Sequence, residues 1–230
     1  MVVIDSKLPT TNLKITKILP ELIQGFIYHH LPASQHVGYK HEKTGKIFKK
    51  TNFDYRLKGA DLRVRFTAFE PKFEELIAMA VLKNGLNLGE IHLTGSTVSL
   101  QRHRVDGADL ATVLLKGNVV CALKGLLGHK VYLEPQDSRH LEMMKKNALE
   151  RFETLCGREY EGEFELNLKW QNLESPLYFY YGNNKMPVRA WPAVWEVRAS
   201  SEMINLMLDT GVGSGCMSFG VGFLEVAKDD

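Results

Sequence analysis

Apolar residues follow two rhythms along this chain: a spacing of three and four that marks helices, and an alternation that marks strands. Ile18, Leu22, Ile23, Phe26, Ile27 and His30 recur at helical spacing, with Pro20 suited to the first helical position and Pro32 closing the segment. Residues 47–57 and 61–69 lean toward strand, and Lys58, Gly59 and Ala60 between them predict a hairpin turn. Pro71 opens a second helix whose inner face is Phe73, Leu76, Ile77, Ala80 and Val81, and Gly85 follows its end. With residues 2–8 as an opening strand and 91–104 as a closing one, the first half reads βαββαβ.

The second half follows the same order in different residues. Residues 119–133 supply strand material around Gly125 and Gly128. Pro135, Gln136 and Asp137 start a long helix with Leu141, Met144, Ala148, Leu149, Phe152 and Leu155 on one face, ended by Gly157. Strands are expected at 163–170 and 187–197, joined by an aromatic excursion at Tyr178, Phe179, Tyr180, Tyr181 and Gly182. Ser200 caps a short helix through Asp209 with Met203, Ile204, Met207 and Leu208 inward, and 217–227 closes as a strand. The expected fold is α+β, two tandem ferredoxin-like domains at 1–112 and 113–230, which fits the length better than one large sheet.

Composition narrows the class. A hydrophobic share of 44% with aromatics throughout excludes a disordered chain, and no run approaches the roughly 18 apolar residues of a membrane span. The start of the chain lacks a basic segment followed by an apolar one, so a soluble, cytoplasmic protein is expected. Cys121, Cys156 and Cys216 are odd in number and widely spaced, which disfavours a disulfide framework and a zinc site alike. Charge is uneven: residues 1–112 hold 16 Lys and Arg against 11 Asp and Glu, and the remainder 13 against 16. Lys40, Lys43, Lys46, Lys49 and Lys50 stand within eleven residues beside the single acid Glu42, a footprint of polyanion binding.

The densest motif runs from Gly211 to Gly222, where Gly211, Gly213, Gly220 and Gly222 form two G-x-G pairs around a short variable stretch. A dinucleotide fold would place such glycines between a strand and the following helix; here they follow a helix and precede the last strand. Closely approachable backbone N–H groups at paired glycines can cradle phosphate. This pattern resembles the end of the CRISPR-associated repeat-processing endoribonucleases, the sixth Cas family of the RAMP superfamily. Leu22 through Tyr28 looks like that family's first helix, Tyr39, Lys40, His41 and Glu42 like the loop after it, and Pro135 through Asn147 with Phe152 to Gly157 like the first helix of its second domain.

The resemblance implies metal-independent cleavage of CRISPR precursor RNA within repeats, yielding crRNA with a 5′-hydroxyl and a 2′,3′-cyclic phosphate, with no cofactor. The family's tyrosine, histidine and lysine match Tyr28, His41 and Lys46, and His36 is a rival for the histidine because the loop varies in length. The chemistry asks for such groups: a base for the 2′-hydroxyl, an acid for the leaving 5′-oxygen and a cation for the phosphorane. His41 is taken as the acid or base, Lys46 as the cation and Tyr28 as the orienting or protonating group.

RNA contacts are expected from Lys40, Lys43, Lys49 and Lys50, from Arg63, Arg65, Arg102 and Arg104 alternating along first-half strands, from Lys124 and Lys130, and from Gly211, Gly213, Gly220 and Gly222. No basic residue lies between the glycine pairs, a departure that puts side-chain phosphate binding there in doubt. Trp170, Trp191 and Trp195 read as core. The competing reading is a noncatalytic RNA-binding RAMP subunit of a CRISPR effector complex. The partner expected in either case is repeat RNA or crRNA; homodimerisation and association with other Cas proteins stay open.

Overall fold

A computed structural model describes residues 1–10, 13–125, 129–180 and 187–227. The first half builds a sheet from β1 (Val2–Lys7), whose alternating side chains bury Val2 and Ile4 beneath α1 (Leu13–His30). Pro20 lies inside α1, not at its start: the helix begins before the apolar stripe does, and the proline ring is accommodated in its interior. The chain then turns through α2 (Ala33–Val37) and a small hairpin of β2 (Tyr39–Lys40) and β3 (Ile47–Phe48). β4 (Thr51–Lys58) and β5 (Asp61–Ala68) form the expected hairpin, Lys58 facing Asp61 across the two-residue turn Gly59 and Ala60.

α3 (Pro71–Asn84) starts at Pro71 and stops at Gly85, and it buries Phe73, Ile77, Ala80 and Val81, while Leu76 faces outward. The single strand expected over 91–104 is instead two pieces, β7 (Ile91–Leu93), paired with β6 (Leu86–Leu88), and β8 (Thr97–Leu100). Gly95 lies in the turn between them. Arg102 and Arg104 therefore lie beyond the sheet. The sheet order β4-β5-β1-β8 places the first strand centrally between the third and fourth of βαββαβ.

The second sheet has the same arrangement, β12-β15-β9-β16. Its first strand is β9 (Ala111–Asn118), not 119–133, so the link between sheets is 101–110 and a division after 112 would cut into a strand. Residues 119–133 instead carry the hairpin of β10 (Ala122–Lys124) and β11 (Lys130–Tyr132), with Gly128 outside the described residues. α4 (Ser138–Cys156) is capped by the Asp137 side chain and closed by Gly157 in the left-handed conformation. β12 (Glu165–Gln171) follows, then β13 (Leu177–Phe179) pairs with β14 (Val188–Ala190), and Tyr181 and Gly182 of the aromatic excursion lie outside the described residues.

Trp191 interrupts the run expected at 187–197, after which β15 (Pro192–Ala199) crosses the sheet and Ser200 caps α5 (Ser201–Thr210). The segment expected as one closing strand is a turn of helix, α6 (Cys216–Phe219), and the short β16 (Leu224–Val226). Trp191 and Trp195 are core, whereas Trp170, beside a bulge in β12, is 53% exposed.

The two halves interlock. Met217 of α6 packs in the first core among Ile23, Phe53 and Phe66, and Phe48 of β3 packs in the second among Met144, Ala148 and Phe152. Arg65 on β5 bridges Asp54 on β4 and Glu225 on β16.

Candidate active site

Three elements bring Tyr28, His36 and Lys49 together. Tyr28 stands in the last turn of α1, His36 in α2 and Lys49 in the link after β3. The Tyr28 and His36 rings lie 5.0 Å apart between centroids, and the Lys49 ammonium sits 5.4 Å from the centre of the Tyr28 ring. His36 Nε2 is 2.6 Å from the Tyr28 carbonyl oxygen and 3.3 Å from that of Leu31. A carbonyl only accepts, so Nε2 carries the proton and Nδ1 keeps its lone pair. The residue is exposed.

Lys49 donates to the carbonyls of Gln35, at 3.4 Å, and His36, which ties it to the end of α2. Burial pulls the pKa of its ammonium below the ordinary lysine value. With three N–H donors and two carbonyls, one donor stays available to an incoming anion.

His41 and Lys46 are placed differently. His41 is 3% exposed, and its Nδ1 lies 3.1 Å from the Thr44 backbone N–H and 2.9 Å from the Thr44 hydroxyl. The backbone group must donate, so Nδ1 is the acceptor and Nε2–H points to Glu153 Oε2 on α4 at 3.1 Å. Lys46 reaches Glu150 Oε2 on the same helix at 2.6 Å. Lys43 adds contacts to Glu159 at 2.7 Å and Glu153 at 3.0 Å, which raise its own pKa and, with His41, lower that of Glu153. The structure thus gathers Tyr28 with the rival His36 and with Lys49, a residue nominated only for RNA binding, while His41 and Lys46 engage α4.

The remaining basic residues divide by partner. Lys50 pairs with Glu70, Arg63 with Asp5, Arg102 with Asp106, and Arg104 with Asp209 and the carbonyls of Ala68 and Phe69. Arg65 is buried in its bridge between Asp54 and Glu225, so it is no open phosphate contact. Arg63 lines a groove of about 510 Å³ with Lys7, Arg56 and Lys58, three cations that the strand-pattern argument passed over. Lys124 and Lys130 are both exposed and sit directly opposite each other across the β10–β11 hairpin. Like charges in that register destabilise a hairpin by themselves, and a bound phosphate relieves them. Lys40 is exposed as well.

The glycine loop is packed, and the N–H groups of its four paired glycines, expected to face phosphate, are engaged within the chain. The N–H groups of Gly211, Gly213, Gly220 and Gly222 donate to Met207 O, Asn147 Oδ1, Cys216 O and Asn118 O respectively. All four glycines are buried. A Cβ at Gly211 would overlap the Asn52 amide, and one at Gly222 would overlap the Val212 carbonyl, both at positive φ. Glycine is required here so that backbones can touch, and the N–H groups of these four glycines are spent within the chain.

Among the described residues, Glu74, His103 and Asp209 form the one group able to share a metal ion. Cations already fill it. The N-terminal ammonium lies 2.6 Å from Glu74 and 2.7 Å from His103 Nδ1, and Arg104 lies 2.9 Å from Asp209. Among the described residues no helix is long and apolar enough to cross a membrane.

No curated protein matches the chain significantly in sequence. Residues 126–226 match the family of the C-terminal region of CRISPR-associated protein Cas6. The product of a Cas6-related gene from Pyrococcus furiosus superimposes with a TM-score of 0.68 at 13% identity, covering 100% of this chain and 99% of its own. A Cas6 protein in a product complex gives 0.65 at 15% identity, covering 98% of each chain. A RAMP protein described as binding different RNA substrates gives 0.65 at 14% identity, covering 99% of this chain and 100% of its own. The chain therefore has the tandem fold of the Cas6 and RAMP proteins along its whole length, and its residues 126–226 are similar to the C-terminal region of CRISPR-associated protein Cas6.

Proposed function

We propose that this protein is an endoribonuclease that cleaves CRISPR repeat RNA by attack of a 2′-hydroxyl on the adjacent phosphodiester, without metal. The observation that carries this reading is the meeting of Tyr28, His36 and Lys49, with the His36 ring fixed through Nε2. His36 takes the 2′-hydroxyl proton on Nδ1, its ring held by the bond from Nε2–H to the Tyr28 carbonyl. The 2′-oxygen then bonds to phosphorus as the bond to the 5′-oxygen breaks. Lys49 offsets the charge on the phosphorane, and the Tyr28 hydroxyl orients the phosphate or protonates the leaving 5′-oxygen. The products are a 2′,3′-cyclic phosphate and a 5′-hydroxyl. Lys124 and Lys130 hold phosphates away from the scissile bond, with Lys40 nearer the loop.

The test is incubation of the protein with its host's repeat RNA in excess EDTA, followed by analysis of both product ends. Cleavage with those ends supports the reading. Strict dependence on Mg²⁺, or binding without cleavage as expected of a noncatalytic RAMP subunit, overturns it. His36→Ala is expected to slow single-turnover cleavage by about 10²- to 10⁴-fold with RNA affinity retained.

A further inference from the structure

We infer that His41 is a positioning residue: it pins the loop that presents Lys49 to helix α4 of the other half, and it carries no proton in the reaction. The inference rests on the reading of Tyr28, His36 and Lys49 given above.

The tautomer comes first. Because the Thr44 backbone N–H can only donate, His41 Nδ1 is occupied as an acceptor and the proton lies on Nε2, directed to Glu153. Both ring nitrogens are engaged and the ring is buried against Phe48, edge to face at 6.4 Å. A general base needs an open lone pair within reach of a substrate hydroxyl, and this imidazole offers none while the loop holds its shape.

The loop's shape depends on the same residue. His41 N donates to Lys46 O and Gly45 N donates to His41 O, each at 2.8 Å, so the turn closes on the histidine's own backbone. Its side chain fastens that turn to Glu153. Phe48, two residues after the turn's end, is buried in the second core with the Arg151 guanidinium 5.1 Å from its ring. Lys49 follows immediately and grips the Gln35 and His36 carbonyls. Anchoring at His41 therefore fixes where Phe48 enters the core, and Phe48 fixes where Lys49 can reach. The neighbouring links Lys43 to Glu153 and Lys46 to Glu150 involve half-exposed lysines and add less, since exposed ion pairs contribute little.

Three variants of the full chain separate this role from proton transfer: His41→Gln, His41→Ala and His36→Gln. Glutamine retains a donor for Glu153 but cannot titrate. The expected result for His41→Gln is cleavage within about 10-fold of wild type, with the pH–rate profile unchanged in shape, because rescue by a nontitrating amide excludes the 10²- to 10⁴-fold share of an acid or base. His41→Ala is expected to lower the melting temperature by about 4–8 °C and to raise hydrogen exchange over residues 38–50. His36→Gln is expected to lose cleavage with the fold intact.

If His41→Gln is as inactive as His36→Gln while melting and binding RNA normally, His41 carries the proton and the inference falls. If the wild type does not cleave at all, the proposed function fails by itself. The exchange measurement then still decides the role of His41: protection over 38–50 lost in His41→Ala and kept in His41→Gln supports the pin, and no change in either overturns it.

Discussion

His36 and His41 stand five residues apart in one basic stretch, yet their rings meet opposite fates. One is exposed and donates to a local carbonyl, and the other is enclosed between Thr44 and Glu153. The sequence reading takes His41 and keeps His36 as its rival, because the partner that encloses His41 is 112 residues away. The same holds for Arg65. Its alternation with Arg63 suggests a shared open face, but the β4 partner Asp54 and the distant Glu225 enclose it. Arg65→Met leaves the Asp54 carboxylate buried without its cation and is expected to destabilise the protein by about 3–5 kcal/mol in urea titration. RNA affinity per folded molecule should hardly change, whereas a true phosphate contact would weaken it.

Helix ends and glycine turns were the most legible elements, since caps act within a few residues. Pro71, Gly85, Asp137, Gly157 and Ser200 all stand where the sequence placed them. Strand extents were less legible, because pairing partners set them: β8 ends at Leu100, opposite Val2, and β9 is defined by pairing with β15 and β16. The Asp137 cap gives a pH test. Hydrogen bonds from Arg139 hold its carboxyl at about 2 against an ordinary 3.8. A carboxyl lowered in the folded state stabilises above its unfolded pKa and loses that contribution as pH falls to its folded one, here between about pH 4 and 2. The urea midpoints of wild type and Asp137→Asn should therefore converge as pH is lowered through that window.

Glycines offer a second comparison at this scale. Gly222→Ala forces a side chain into a left-handed conformation against the Val212 carbonyl and should cost at least about 1–3 kcal/mol in thermal denaturation. Gly25 lies within α1 with nothing near its absent Cβ, so Gly25→Ala should stabilise by about 0.5–1 kcal/mol.

At the scale of the molecule, the sign difference between the halves has a structural use. The basic stretch after α1 meets Glu150 and Glu153 on α4 and Glu159 just beyond its end, so much of that asymmetry is neutralised between halves and not offered to a ligand. Ion pairing occupies many of the basic residues expected to contact RNA, whereas Lys124, Lys130 and Lys40 are exposed. Repeat-RNA affinity should fall steeply with salt, and replacing Lys124 or Lys130 with Gln should each reduce the slope of log affinity against log salt by about one. A flat profile in the wild type would remove these lysines from the interface. The tandem plan itself was readable from the repeated element order, whereas the packing that joins the two units depends on Met217 and Phe48, whose apolar character does not say which core each will enter.

The exchange of Met217 and Phe48 between cores has a consequence for how the chain can be divided. A fragment ending in the 101–110 link would hold a vacancy where Met217 belongs and expose Phe48 to water; its complement would hold the reciprocal defects. Neither piece is expected to melt cooperatively alone. Mixed together, they should reconstitute one transition through a mutual insertion, so that severing this backbone breaks the polypeptide without separating the protein into two.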